Sequence, residues 1–199
     1  MNKDFWMNQY ASSFKEEEKK RDEILDFGNI VIRTGDITTI EADAIVNPAN
    51  GTLLGGSGLD GLIHQKAGRA LREECAKLGG CKTGEAKITK AYNLSNCSYI
   101  IHTVGPQYAY EENPEELLKN CYQNCLNIAV EKELESIAFP CISTGAYGYP
   151  FEPAGRIAIR TVKDFQKEHN LRVIFVCRED YEWSAYFKIY NQILREGEV

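Results

Sequence analysis

The strongest constraint on the fold is a set of short, unbroken apolar runs: Ile30-Val31-Ile32, Ala44-Ile45-Val46, Tyr99-Ile100-Ile101, Ile137-Ala138-Phe139 and Val173-Ile174-Phe175-Val176. Each is rich in β-branched or aromatic residues and too short for a helix, so each reads as a strand. A strand with one wet face alternates apolar and polar residues, whereas a continuous apolar run implies cover on both faces. Ala86 to Leu94 adds a strand of weaker patterning. Helix-length segments separate these strands, over 60–78, 114–132, 153–169 and 184–195. Leu62, Ile63, Ala67, Ala70, Leu71 and Cys75 stripe one face of the first, and Pro114 and Pro153 sit where a first helical turn accepts proline. Strands alternating with helices predict an α/β fold in α/β/α layers.

The chain has 199 residues, 43% of them hydrophobic, which suits one domain plus an extension. Residues 1–27 combine Phe5, Trp6, Met7, Tyr10 and Phe14 with a charge run from Lys15 to Glu23, and read as a helical extension to a domain over 28–199. A formal charge of −6 argues against nucleic acid or an anionic membrane as partner, so any anionic ligand must be held locally. No stretch approaches the ~20 apolar residues of a membrane span, and the N-terminus lacks the apolar core of a secretory signal. With seven cysteines, an odd number that suits reduced thiols, the expectation is a cytoplasmic protein. No CxxC pair occurs and His64, His102 and His169 are scattered in sequence, so no metal site is expected.

The chemistry is signalled by where glycine falls. Five of 16 glycines (Gly51, Gly55, Gly56, Gly58, Gly61) lie within residues 51–61, between the strand ending near Val46 and the helix beginning near Leu59. Strand, glycine loop and helix N-terminus together make a phosphate cradle, because free N–H groups and the positive helix end converge there. Gly56-Ser57-Gly58-Leu59-Asp60-Gly61 also reads as GxGxxG, but eight residues separate it from its strand and no acid ends the next one, which argues against a nicotinamide-binding domain. A second loop, Ser143 to Pro150, follows the Ile137–Ile142 strand, and two such loops could clamp a diphosphate without a Walker lysine. Around them stand Asp36 after the first strand, Asn47 and Asn50 at the end of the second, and Asp60 and His64 at i and i+4 on one helix face.

Gly35-Asp36-Ile37-Thr38, Asn47-Pro48-Ala49-Asn50, Leu54 to His64 and Ile142 to Pro150, in that order and spacing, resemble the macrodomain family, in particular its MacroD-type hydrolases. Thr83 to Thr89 and Tyr99 to Pro106 are similar to the same subgroup, and the likeness spans about 30–195. The resemblance implies a three-layer α/β/α sandwich with a mixed central sheet, a monomer, and ADP-ribose as ligand with no cofactor. It implies that Asp36 hydrogen-bonds the adenine amino group, with Ile37 and Thr38 beside it. Asn47, Ala49, Gly55, Gly56, Ser57, Gly58 and Leu59 would line the distal ribose and phosphate. Ile142, Ser143, Thr144, Gly145, Ala146, Tyr147 and Gly148 would close over the diphosphate. Asn50 would orient the distal ribose, Asp60 would position or activate water, and His64 would steady them. Pro48 and Ser57 depart from the family's usual Ala and Gly, and Arg178 stands where relatives often place an aromatic against adenine.

The activity so implied is removal of mono-ADP-ribose from acidic side chains of proteins and deacetylation of O-acetyl-ADP-ribose. Two other readings share the ligand: a non-catalytic reader, which commonly lacks the acid at Asp60, and a phosphatase acting on ADP-ribose 1″-phosphate. RNA binding is disfavoured by the charge.

Overall fold

The computed structural model describes residues 24–196. Within them, seven strands form one sheet: β1 (Leu25–Asp26), β2 (Ile30–Thr34), β3 (Ala44–Pro48), β4 (Ala86–Lys90), β5 (Tyr99–Thr103), β6 (Ser136–Phe139) and β7 (Arg172–Cys177). Five helices accompany them: α1 (Gly58–Ala67), α2 (Arg69–Lys77), α3 (Pro114–Glu131), α4 (Phe151–Phe165) and α5 (Asp180–Glu196). The strand order is β1-β2-β7-β6-β3-β5-β4; the interior pairs are parallel, and β1 and β4 run antiparallel at the two edges. This is the expected three-layer α/β/α sandwich with a mixed sheet.

The unbroken apolar runs divide between two cores because successive strand side chains point to opposite faces. Ile30, Ile32, Ala44, Val46, Ile101, Ile137, Phe139, Val173 and Phe175 pack with α3, α4 and α5. Their neighbours Val31, Ile45, Ile100, Ala138, Ile174 and Val176 pack with Ile63 and Ala67 of α1 and Leu71 and Cys75 of α2. Both faces are therefore dry, and no described helix is long and apolar enough to cross a membrane. The parallel strands β2, β3, β5, β6 and β7 all end at the same edge of the sheet, so the loops after β2, β3 and β6 share that edge.

Several boundaries differ from the sequence expectation. The helical extension over 1–27 lies, up to residue 23, outside the described residues. Its last part is strand: Leu25 and Asp26 pair with Ile32 and Val31, and Phe27 stacks on Tyr190 of α5 with centroids 4.2 Å apart. An open sheet edge and an aromatic partner outweigh local helix propensity there. β4 ends at Lys90, because Ala91 and Leu94 close a turn with Tyr92 at φ 53°. The helices expected from 153 and 184 begin earlier, at Phe151 and Asp180.

The single helix expected over 60–78 is two. Gly68 holds φ 87° and ψ 179°, which breaks the ladder between α1 and α2, and its missing Cβ would lie 2.6 Å from Asn93 Nδ2. The break lets α1 aim its first turn at the loop after β3 while α2 covers the sheet. Gly68→Ala, normally favourable near a helix, should here cost about 1–3 kcal/mol from backbone strain, read as a lower urea midpoint with unchanged m.

Candidate functional site

β3 lies inside the sheet between β6 and β5, and its C-terminal end carries Asn47. Ala49 N–H donates to Thr103 O at 2.9 Å, holding the chain against β5 as it leaves the sheet. Asn50 is then braced by its own loop: Oδ1 accepts from Thr52 N (2.9 Å) and Thr52 Oγ1 (2.6 Å), and Nδ2 donates to Gly55 O (3.0 Å). A Cβ at Gly56 would lie 3.0 Å from Asp60 Oδ2 and 3.1 Å from Asn50 Nδ2, so the loop backbone packs directly on both side chains. Ser57 caps α1 without a side-chain bond, leaving the N–H groups of the first turn free to face an anion. Gly56, Ser57 and Gly58 are exposed; Gly55 and Leu59 are half-buried.

Asp60, on that first turn, is 5% exposed. Its Oδ1 accepts from Asn47 Nδ2 at 2.8 Å, and its Oδ2 lies at the limit of hydrogen bonding to Asn50 Nδ2, 3.5 Å. Burial pushes the Asp60 carboxyl above its ordinary value; the Asn47 hydrogen bond and nearby His64 oppose that only in part. A carboxylate that holds its charge reluctantly, with one oxygen loosely engaged toward the loop, is suited to accept a proton. His64 stands one turn on, with Nε2 3.6 Å from Asp60 Oδ1. Burial pushes its imidazole down and Arg72 adds to this, against the pull of Asp60, so at neutral pH the contact is a dipole beside a charge. Among the described residues, neither His64 ring nitrogen has a hydrogen-bond partner.

The second loop faces the first. Ile142 and Ser143 are buried, Ser143 holds φ 66°, and Gly145, Ala146 and Gly148 are exposed, with Thr144 and Tyr147 half-buried. Thr144 Oγ1 donates to Cys141 O (3.0 Å) and Gly148 N–H to Gly145 O (2.9 Å), closing the turn. Burial raises the Tyr147 phenol, and the charge of Asp60 adds to the shift, so the two loops sit within electrostatic reach.

Asp36 lies farther along the same edge, at the end of β2, capping a 3-10 turn over Ile37–Thr39 in which Ile37 and Thr38 are buried. Both its carboxylate oxygens are engaged: Oδ1 by Thr38 N (2.9 Å) and Thr38 Oγ1 (2.6 Å), Oδ2 by Lys66 Nζ (2.8 Å). Partial burial pushes this carboxyl up, but the bonds from Lys66 and Thr38 outweigh it and leave it below the ordinary value. Lys66, at the far end of α1, was not among the expected site residues. Arg178 follows β7 next to Gly35, but its side chain is 88% exposed and pairs with Glu179 at 3.3 Å.

The sequence reading also missed His102, which the register of β3 and β5 places level with Asn47. It is fully buried, with Nδ1 3.0 Å from Asn47 Nδ2 and Nε2 2.9 Å from Thr89 Oγ1. Asn47 must turn Nδ2 toward Asp60, since Oδ1 there would oppose two acceptors. The second Nδ2 hydrogen then goes to His102 Nδ1, which must be the bare nitrogen, so Nε2 carries the proton and donates to Thr89. Burial, helped by His64, pushes His102 down to about 3 and keeps it neutral. The readable signal was a histidine inside a strand run covered on both faces, which has to find partners.

Folding brings His64, Cys75 and His102 together, with possible ligand atoms within 4.8 Å of one another. The three are packed as a buried cluster in which Cys75 Sγ lies 3.7 Å from His102 Nε2. His102 Nε2 bears its proton, and the Cys75 thiol is pushed up to about 11 by burial, Glu74 and Asp60. All seven cysteines are free thiols.

Strand ends, two glycine loops, a helix N-terminus and a buried acid meet at one edge of this α/β domain. The Macro domain family model matches residues 46–158, and the chain belongs to that family. It is 50% identical over 167 residues to the ADP-ribose glycohydrolase MACROD2 of Xenopus laevis, covering 81% of this chain but 39% of that protein. It is 47% identical to the O-acetyl-ADP-ribose deacetylase of Salmonella newport, covering 79% of this chain and 92% of the relative. The Oceanobacillus iheyensis macrodomain with ADP superposes with TM-score 0.82 at 37% identity, over 87% of this chain and 97% of that one. The Trypanosoma brucei macrodomain in complex with ADP-ribose gives 0.76 at 44%, over 80% and 68%.

His102 makes a stability prediction. Its folded pKa lies below its unfolded value, so its contribution is full above about pH 6.5 and is lost as pH falls from there toward 3. His102→Asn cannot titrate there. Wild type should therefore lose about 1.4 kcal/mol per pH unit relative to His102→Asn between pH 6 and 4, as measured by urea unfolding.

Proposed function

We propose that this chain is a monomeric, cytoplasmic ADP-ribose-binding hydrolase that removes mono-ADP-ribose from acidic side chains of proteins and deacetylates O-acetyl-ADP-ribose. The observation that carries the reading is Asp60: a nearly buried carboxylate on the first turn of α1, with Oδ1 held by Asn47 and Oδ2 turned toward Asn50 and the glycine loop. The activities named for the Xenopus and Salmonella relatives support it. Seven free thiols support a reducing, cytoplasmic setting.

In this reading the diphosphate lies between the loop over 55–58 and the loop over 142–148, held by backbone N–H groups, and Asp36 receives the adenine amino group, sharing Oδ2 with Lys66. Asn50 orients the distal ribose, which carries an acyl ester. Water adds to the acyl carbon while Asp60 takes its proton; the acyl–oxygen bond then breaks, and the proton passes to the departing ribose oxygen. The products are the free carboxylic acid and the ribose hydroxyl. No cofactor is needed, since the chain supplies the base and the anion donors. His64, uncharged, packs beside Asp60 and keeps bulk water away from it.

Asp60→Asn and Asn50→Ala should each reduce release of ADP-ribose from a glutamate-linked protein substrate and of acetate from O-acetyl-ADP-ribose by 10²-fold or more. ADP-ribose affinity by calorimetry should stay within about fivefold, since neither change removes a phosphate donor. Full activity in both variants overturns the assignment, and tight binding with no release by wild type makes the chain a reader.

A further inference from the structure

Two thiols meet at the root of the second glycine loop. β6 and β7 run parallel, with Phe139 opposite Phe175 and their ring centroids 6.3 Å apart on the face covered by α3, α4 and α5. Side chains return to one face of a strand every second residue, so the next pair on that face is Cys141 and Cys177. The packing agrees: Cys177 belongs to that core and Cys141 lies against it. The Cys177 thiol is pushed far up, first by its hydrogen bond to the Cys141 thiol and then by burial. Burial raises the Tyr186 phenol and both sulfurs add to the shift, so this α5 side chain is within electrostatic reach of the pair.

The two cysteines differ in access and in freedom. Cys141 is half-buried, whereas Cys177 is 0% exposed. Cys177 is fixed in β7 by pairing with Thr34 of β2. Cys141 lies past the end of β6, and its carbonyl accepts from Thr144 Oγ1 at 3.0 Å, which anchors the turn of the second loop. Neighbouring strands stand about 4.8 Å apart, inside the roughly 4.4–6.8 Å that a disulfide spans between Cα atoms. A bridge also draws the Cβ atoms to about 3.8 Å, and with β7 held on both sides that adjustment falls on Cys141 and the loop it begins. Cys81 and Cys97, also half-buried, are engaged by backbone: Cys81 Sγ donates to Lys82 O at 3.6 Å, and Cys97 is bonded to the backbone of Ile45.

We propose that Cys141 and Cys177 form a modification site, oxidised by hydrogen peroxide to a reversible disulfide that ties the root of the second glycine loop to β7. The accessible Cys141 reacts first: its thiolate attacks one peroxide oxygen, the S–O bond forms, the O–O bond breaks, and the departing hydroxide takes up a proton as water. Cys177 then attacks the sulfenic acid so formed. The S–S bond forms, the S–O bond breaks, and the Cys177 proton leaves with the oxygen as a second water. Each sulfur has given one electron, and the peroxide has been reduced to two waters. Contact between the sulfurs offsets the raised Cys177 thiol, because the attacking group is already in place. A dithiol reductant reverses the bridge by exchange. Formation of the bridge depends on the two thiols alone; its effect on ADP-ribose rests on the ligand reading above.

The test treats the full, reduced chain with hydrogen peroxide at about pH 8, where thiols react readily, beside Cys141→Ser and Cys177→Ala. After alkylation, peptide mapping of wild type should show the loss of two hydrogens and a link between residues 141 and 177, with both thiols restored by dithiothreitol. Cys177→Ala should stop at a sulfenic acid on Cys141 that dimedone traps, and Cys141→Ser should leave Cys177 reduced. By calorimetry the bridged protein should bind ADP-ribose about threefold more weakly or worse, since the loop root has been displaced, and reduction should restore it. Before oxidation both variants should bind as wild type does. The proposal is overturned if peroxide leaves residues 141 and 177 unlinked, or links either one to a different cysteine. A mapped bridge with unchanged ADP-ribose affinity overturns the coupling to the second loop. Reduced wild type that binds no ADP-ribose defeats the ligand reading instead, and the mapped bridge still stands.

Discussion

The site depends on one buried hydrogen bond, from Asn47 at the end of β3 to Asp60 in the first turn of α1. It joins the sheet to the helix layer at the point where the chain turns from one to the other, and the stretch between its ends, residues 48–59, contains the whole of the first glycine loop. The bond works because both partners are fixed from behind. β3 is paired on both sides, and α1 is packed on the sheet through Ile63 and Ala67. A loop rich in glycine would otherwise sample many shapes. Clamped at both ends, and braced in the middle by Asn50, it presents one.

Much of this could be read from the chain itself. Unbroken apolar runs announced a sheet covered on both faces, and the split of Ile30, Val31 and Ile32 between two cores is that expectation made specific. Asp60 and His64 were placed together by helical spacing, and Asn47 and Asn50 by their position at a strand end. What could not be read was cross-strand register. His102 is far from Asn47 in sequence and stands beside it only because β3 and β5 align Asn47 with His102, a matter of tertiary pairing. Lys66 escaped for a related reason: its partner Asp36 follows β2, a strand beyond the centre of the sheet, and spacing within one helix says nothing about it. The break at Gly68 was legible in principle, but a lone glycine inside an apolar stripe more often continues a helix than ends one.

Lys66 alters what Asp36 can be in the absence of ligand. A carboxylate awaiting an adenine amino group would ordinarily be a free charge at a strand end. Here Oδ1 is consumed by the turn it caps and Oδ2 by an ammonium, so in the proposed function adenine would be met by sharing or exchange. The pair is about two-fifths exposed and worth little to stability. Its weight falls on orientation: the turn holds one oxygen, and the other stays where a ligand can compete for it.

The two glycine loops contain no lysine or arginine between residues 50 and 61 or between 141 and 150. An anion held there is met by dipoles alone, and it arrives at a chain that already carries a formal charge of −6. Long-range forces therefore oppose its approach while short-range ones retain it. Dissolved salt shortens the repulsion, whose reach is about 10 Å at 0.1 M, and barely touches amide bonds inside the cleft. Ionic strength that strips ligands from a basic groove would here make the approach easier and leave the grip intact.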